Sequence, residues 1–182
     1  MQDRNPRLRI ALTGGIACGK SLVASYLNEF GIETIDADDI VHELVPEAER
    51  KELAKKVFKD AKARKELEAR LHPPVKARID AFLASREGKM AVAVIPLLFE
   101  THWDKEYDII CTVASERETQ IARMMTKRGY SREDAEARLA AQMPVAQKAE
   151  KSHYVIHNDA AASDLREETR RFAEWLEKKV QH

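Results

Sequence analysis

Gly14-Gly15-Ile16-Ala17-Cys18-Gly19-Lys20-Ser21 places two small-residue turns, a lysine and a hydroxyl at the spacing G-x-x-x-x-G-K-S. That spacing is the one a phosphate-cradling loop needs. Loop amides and the positive end of a following helix converge on one small volume that suits phosphate oxygens. Lys20 brings an ammonium to β- and γ-phosphates, and the Ser21 hydroxyl is a ligand for Mg²⁺. The loop predicts a bound nucleoside triphosphate. The contacts are expected from Gly14, Gly15, Ile16, Ala17, Cys18, Gly19, Lys20, Ser21 and Leu22.

A second group of oxygens follows at Asp36-Ala37-Asp38-Asp39. Carboxylates close to a phosphate loop can take a proton from an attacking hydroxyl or order metal-bound water. The plainer reading is that Asp36 or Asp38 caps a helix starting near Ile40. The loop one element upstream favours the chemical reading. Ile95-Pro96-Leu97-Leu98-Phe99-Glu100 ends an apolar run at a proline, which stops ladder pairing. Its Leu-Leu-Phe stretch reads as core by periodicity, or as the apolar wall of a pocket. His72-Pro73 falls at a predicted helix break, and a lone histidine there is ordinarily structural. Arg123, Lys127, Arg128, Arg132 and Arg138 lie on charged helical stretches that read as solvated faces. In a phosphoryl-transfer enzyme such a segment instead supplies charge to the transferring group.

The elements that must position these residues alternate. Strands are predicted at 8–13, 33–36, 90–95, 107–113 and 153–157, the third and fourth as near-continuous apolar runs, as in a parallel sheet covered on both faces. A helix is predicted over 21–30. Another is expected behind a capping box at Ser115-Glu116-Arg117-Glu118, a third starts at Ser131, and a last one carries Leu165, Thr169, Phe172, Leu176 and Val180. Strands alternating with helices imply an α/β fold with a five-stranded parallel sheet, in which ligands bind beyond the carboxyl ends of the strands. The organisation expected is one domain, with a core of 1–44, 87–126 and 152–182. Two charged helical segments without strand signals depart from it, a lobe at 45–86 and a lid at 127–151.

The chain has 182 residues with 31 Lys+Arg against 31 Asp+Glu. That length buries a core without disulfides, and the neutral balance argues against a nucleic-acid partner. Cys18 and Cys111 lack metal-ligand or disulfide-scaffold spacing. No run approaches membrane-spanning length, and Met1 to Arg7 lacks a signal-peptide core. A cytoplasmic protein acting on small molecules, monomeric or weakly self-associating, with no membrane partner is the expectation.

Taken together these residues resemble the dephospho-CoA kinase family, P-loop kinases that catalyse the last step of coenzyme A biosynthesis. The resemblance covers most of the chain. It runs through Leu12-Thr13-Gly14-Gly15-Ile16, Ile35-Asp36-Ala37-Asp38, Leu71-His72-Pro73 and Val94 to Glu100. It continues with Gly129-Tyr130-Ser131, Ala137-Arg138-Leu139-Ala140-Ala141-Gln142 and Val155-Ile156-His157-Asn158. It implies transfer of the ATP γ-phosphate to the ribose 3′-hydroxyl of dephospho-CoA. Lys20, Asp38 and Arg138 would be catalytic, Asp38 as base or hydroxyl-orienting acid and Arg138 from the lid. Asp38, His72, Leu97, Leu98 and Glu100 would lie towards the acceptor. Ala17-Cys18 stands where the family usually has Gly-Ser. Ala17 is innocuous unless the backbone needs positive φ, and Cys18 beside a helix N-terminus is expected to have an acidified thiol. Lys127-Arg128-Gly129 replaces a commoner Arg-Asp-Gly, so either basic residue could serve as the usual arginine. Val45-Pro46 passes almost directly to Arg50-Lys51-Glu52-Leu53-Ala54, which shortens the acceptor lobe. Two rival readings remain: another small-molecule P-loop kinase, or an ATP-binding module that has lost acceptor turnover.

Overall fold

Strand β1 (Ile10–Gly14) is buried along its whole length, as are β3 (Ala91–Val94) and β4 (Ile109–Ala114). Strands that read as unbroken apolar runs must be covered on both faces, and these three form the middle of the sheet. The structure, a computed structural model, describes residues 8–50, 60–86, 89–159 and 162–180. With β2 (Glu33–Asp36) and β5 (Tyr154–His157) at the edges, the sheet order is β2-β3-β1-β4-β5. All pairings are parallel, with Leu12 opposite Val94 on one side and Cys111 on the other. Every predicted strand is present, with ends shifted by at most two residues.

Helix α1 (Lys20–Glu29) leaves the loop after β1. It shares one face of the sheet with α7 (Ala162–Val180), where Val23, Leu27, Phe172 and Leu176 meet Ile10, Leu12 and Val113. The other face is covered by α2 (Ala37–Leu44) and α3 (Ala61–Ser85), through Ile40, Val75, Ile79 and Leu83 against Ala11, Ala93 and Ile95. Helices α4 (Arg117–Arg128) and α5 (Arg132–Ala140) pair through Ile121, Met124 and Ala135. The short α6 (Val145–Glu150) leads back to β5.

Two local expectations are corrected. His72-Pro73 does not break a helix, because α3 runs through both Pro73 and Pro74. Each proline removes one intrahelical N–H, but Val75, Ile79 and Leu83 bury the same face against the sheet and hold the helix together. The capping box at Ser115 does not form either. Glu116 is the N-cap residue and no side chain caps it. The Ser115 hydroxyl instead donates to Asn158 O at 2.7 Å and accepts from Arg123 Nη1 at 3.0 Å. A tertiary partner has displaced a local one. Residues 51–54, where a shortened lobe is expected, lie outside the described residues.

Candidate active site

The carboxyl ends of β1, β2, β3 and β5 converge on one cleft. After β1 the chain turns through Gly14 and reaches α1 at Gly19, whose φ of 95° is the left-handed N-cap of the helix. A Cβ at Gly14 would collide with Val113 O and one at Gly19 with the Asn158 amide, so both positions need glycine. No side chain caps α1, which leaves its first-turn amides and dipole for an anion. Ala17 lies at φ 59°, so the backbone does need positive φ at this family-atypical residue, a conformation that costs a side-chain-bearing residue about 1–2 kcal/mol.

Three residues from distant elements clamp the loop carbonyls. Gln120 Nε2 donates to Ile16 O at 2.7 Å, Asn158 Nδ2 to Cys18 O at 2.8 Å, and Arg123 Nη1 to Ala17 O at 3.4 Å. Turning the carbonyls outward towards these donors leaves the loop amides to face the cleft. The Lys20 ammonium donates to Gly14 O at 3.2 Å and Gly15 O at 2.9 Å. Burial lowers its pKa, with the Lys148 charge adding to the shift and Asp38 and Asp36 opposing it.

Two cavities open beside this loop. The larger, about 540 Å³, is bordered by Lys20, Ser21 and Leu22 on one side and by Arg123, Lys127 and Arg128 on the other. The smaller, about 260 Å³, is walled by Val41, Leu71, His72, Leu97 and Trp103. Asp38 and Pro96 border both. A polar, cationic volume and an apolar one therefore share a wall that carries a carboxylate.

The acids behind this wall have separate duties. Asp36 Oδ1 accepts from the Asp38 N–H at 2.8 Å and so caps α2, which leaves the Asp38 side chain for the cavities. Burial raises the Asp36 pKa, with the Asp38 and Asp39 charges adding to the shift and the Asp38 N–H opposing it. The native state therefore holds its proton above the pH at which the unfolded chain loses it, and stability falls as pH rises through that window. Asparagine caps a helix as well as aspartate does. Asp36→Asn is therefore expected to raise the thermal midpoint at pH 7, with the gain shrinking as pH falls to where Asp36 is protonated. An unchanged or lowered midpoint at pH 7 would show that the charge stabilises the fold.

Other expected residues fall elsewhere. Leu98 is fully buried beneath the turn after β3, so its side chain holds the turn and cannot reach an acceptor. Leu97, at 39% exposure, is the residue of that turn facing the apolar cavity. Glu100 also turns away, because its carboxylate accepts from Lys148 Nζ and from the Met143 N–H at 3.0 Å. Arg138 does not border the nucleotide-sized cavity; its guanidinium lies 4.3 Å from the Tyr130 ring centroid. Lys127 and Arg128 both reach that cavity, and Arg123 joins them. The acidified Cys18 thiol is overturned: the side chain is fully buried in the core. Burial pushes its thiol up, with Lys20 only partly offsetting this. Helix N-terminal proximity acts on the Cys18 backbone while its side chain points inward.

Trp103 and Gln120 gave no signal in the sequence. Trp103 meets His72 edge to face with ring centroids 5.2 Å apart. Gln120 sits on a helix face that periodicity marks only as amphipathic. Asn158 directly follows β5, beyond a carboxyl end of the sheet where ligands bind in such folds, and that position was the available clue.

A parallel sheet with a phosphate loop after its first strand, and a second cavity meeting the first at a carboxylate, defines a P-loop small-molecule kinase. The dephospho-CoA kinase family model matches residues 8–49 and 46–164, and the chain belongs to that family. The two matched stretches overlap at residues 46–49. The dephospho-CoA kinase of Wolinella succinogenes is 36% identical in an alignment 192 positions long that covers 93% of this chain and 94% of that protein. The crystal structure of TT1252 from Thermus thermophilus superposes with a TM-score of 0.78 at 33% identity, covering 92% of this chain and 97% of that one. Dephospho-CoA kinase from Campylobacter jejuni gives 0.69 at 26%, covering 94% and 98%. Among the described residues no helix is long and apolar enough to cross a membrane.

Proposed function

We propose that this chain transfers the γ-phosphate of ATP to the ribose 3′-hydroxyl of dephospho-CoA, giving coenzyme A and ADP as the final step of coenzyme A biosynthesis. The observation that carries the reading is the shared wall: Asp38 and Pro96 border both the cationic and the apolar cavity. In this reading the loop amides and Lys20 hold the ATP phosphates in the larger cavity. His72, Leu97 and Trp103 receive the acceptor in the smaller one. Asp38 orients the attacking hydroxyl and takes its proton, while Arg123, Lys127 and Arg128 neutralise charge on the transferring group. Residues 127–151 act as the lid, which would bring Arg138 towards the phosphates when it closes. Residues 45–86 act as the acceptor lobe.

The donor set also fits Mg²⁺. Ser21 and Asp36 border the same cavity and offer only hard oxygens, matching an ion that takes one or two carboxylates together with substrate phosphates. Mg²⁺ held there would supply charge neutralisation for the phosphates.

ADP release measured with dephospho-CoA, nucleoside monophosphates and shikimate as acceptors tests the assignment. Turnover with dephospho-CoA, with 3′-phosphorylated product, is expected. Turnover with another acceptor alone would replace the reading. ATP binding without turnover on any acceptor would leave a binding module.

A further inference from the structure

Lys148 has no solvent exposure. Burying an ammonium costs several kcal/mol unless it is paired and hydrogen-bonded. From α6 its Nζ lies 2.8 Å from Glu100 Oε1 and donates to Glu100 Oε2 at 3.2 Å and Pro96 O at 2.9 Å. Both partners belong to the turn after β3. The same Pro96 carbonyl accepts from Thr13 Oγ1 at 3.3 Å, and Thr13 directly precedes the phosphate loop. Glu100 in turn receives the Met143 N–H at 3.0 Å, just before α6 begins. The turn, the strand entering the loop and the return of the lid to the sheet are thus tied at one carbonyl, that of Pro96.

If Glu100 were the only partner, Lys148 would simply complete a buried ion pair fastening α6. The bond to Pro96 adds something that a fastening does not need. Pro96 borders both cavities, so its peptide is part of the partition across which phosphate and acceptor must meet. Its own nitrogen carries no N–H and cannot be held by a ladder. The carbonyl is the polar handle left on that residue, and Lys148 grips it with a charge-assisted bond. Lys148 is also near enough to Lys20 for its charge to add to the lowering that burial imposes there.

We propose that Lys148 is a positioning residue for phosphoryl transfer, holding the Pro96 peptide so that the γ-phosphate faces the acceptor hydroxyl and not water. This rests on the dephospho-CoA kinase reading. When the peptide is loosened, water competes as nucleophile: the bond from γ-phosphorus to the ADP oxygen breaks, a bond to the water oxygen forms, and phosphate and a proton leave. The quantity that reports Lys148 is therefore the ratio of ADP formed to coenzyme A formed.

In the full-length chain, Lys148→Met is expected to lower kcat for transfer by about 10- to 100-fold, the range set by misplacement on the order of 1 Å. The ADP-to-coenzyme A ratio should rise severalfold above the wild-type value near one, with KM for ATP held within about twofold. Because this variant strands the Glu100 charge, Lys148→Met/Glu100→Gln is measured beside it. The double variant should recover much of the thermal midpoint while keeping the raised ratio. A wild-type ratio in either folded variant overturns the proposal and leaves Lys148 a structural ion-pair partner. Failure of the wild-type chain to form coenzyme A would instead overturn the assigned reaction.

Discussion

Lys20→Ala should lower dephospho-CoA-dependent ADP release by about three orders of magnitude, in line with the loss of a preorganised charge on a transferring phosphoryl group. The thermal midpoint should not fall with it. Lys20 is a half-buried residue whose ammonium donates to the carbonyls of Gly14 and Gly15, and desolvation is the largest of the causes that lower its pKa. The folded protein therefore holds a desolvated charge that two neutral carbonyls only partly compensate. A triphosphate would compensate it fully, which places the benefit of Lys20 in the bound complex and not in the fold. Removing it relieves desolvation in the free protein while, on the proposed reading, taking a cation from the β/γ-phosphates. A factor of a thousand corresponds to about 4 kcal/mol of transition-state stabilisation. Calorimetry should find the variant as stable as the parent or more so, with weaker ATP binding. A variant keeping activity within about tenfold would mean that loop amides and helix dipole suffice and would sink the role given to Lys20.

How much of this was legible in the chain depended on the range of the interaction responsible. The inner strands were readable because Ala91–Val94 and Ile109–Ala114 are buried on both faces, so composition alone marks them. The phosphate loop was readable because eight consecutive residues carry its geometry. The loop's clamps were not, since Gln120 and Ile16 are 104 residues apart and Asn158 and Cys18 are 140 apart. Pro73 and Pro74 misled because a local rule about proline was overridden by burial of one helix face. Cys18 misled in a similar way: its place beside a helix N-terminus was right, but which way a side chain points is decided by the core. Lys148 is the extreme case. A lysine in a charged helix reads as solvated, and only the fold reveals that its ammonium is buried on Pro96 and Glu100. Arg138 and Glu100 carry the family's pattern, yet their side chains rest on Tyr130 and Lys148 respectively.

Asp38→Asn separates the acceptor chemistry from the donor chemistry. Asparagine keeps the size of the side chain and can still hydrogen-bond the acceptor hydroxyl, but it cannot take the proton. Because Asp36 is the residue that caps α2, the substitution leaves the helix start intact and its effect on the thermal midpoint should be small. A missing general base costs about 10²- to 10⁴-fold in kcat. With ground-state contacts preserved, KM for both substrates should stay within a few-fold, the signature of an interaction made in the transition state. The rival assignment is that Asp38 serves the metal, since it borders the same cavity as Ser21 and Asp36. That assignment predicts a different pattern: ATP affinity falls together with kcat, and rising Mg²⁺ restores part of both. Titrating ATP at low and high Mg²⁺ against parent and variant decides between them. If kcat and ATP affinity fall in parallel and Mg²⁺ rescues them, the carboxylate shared by the two cavities belongs to the donor side. The proton of the 3′-hydroxyl would then pass directly to a phosphate oxygen or to solvent, as a loose transition state with little need for a base allows.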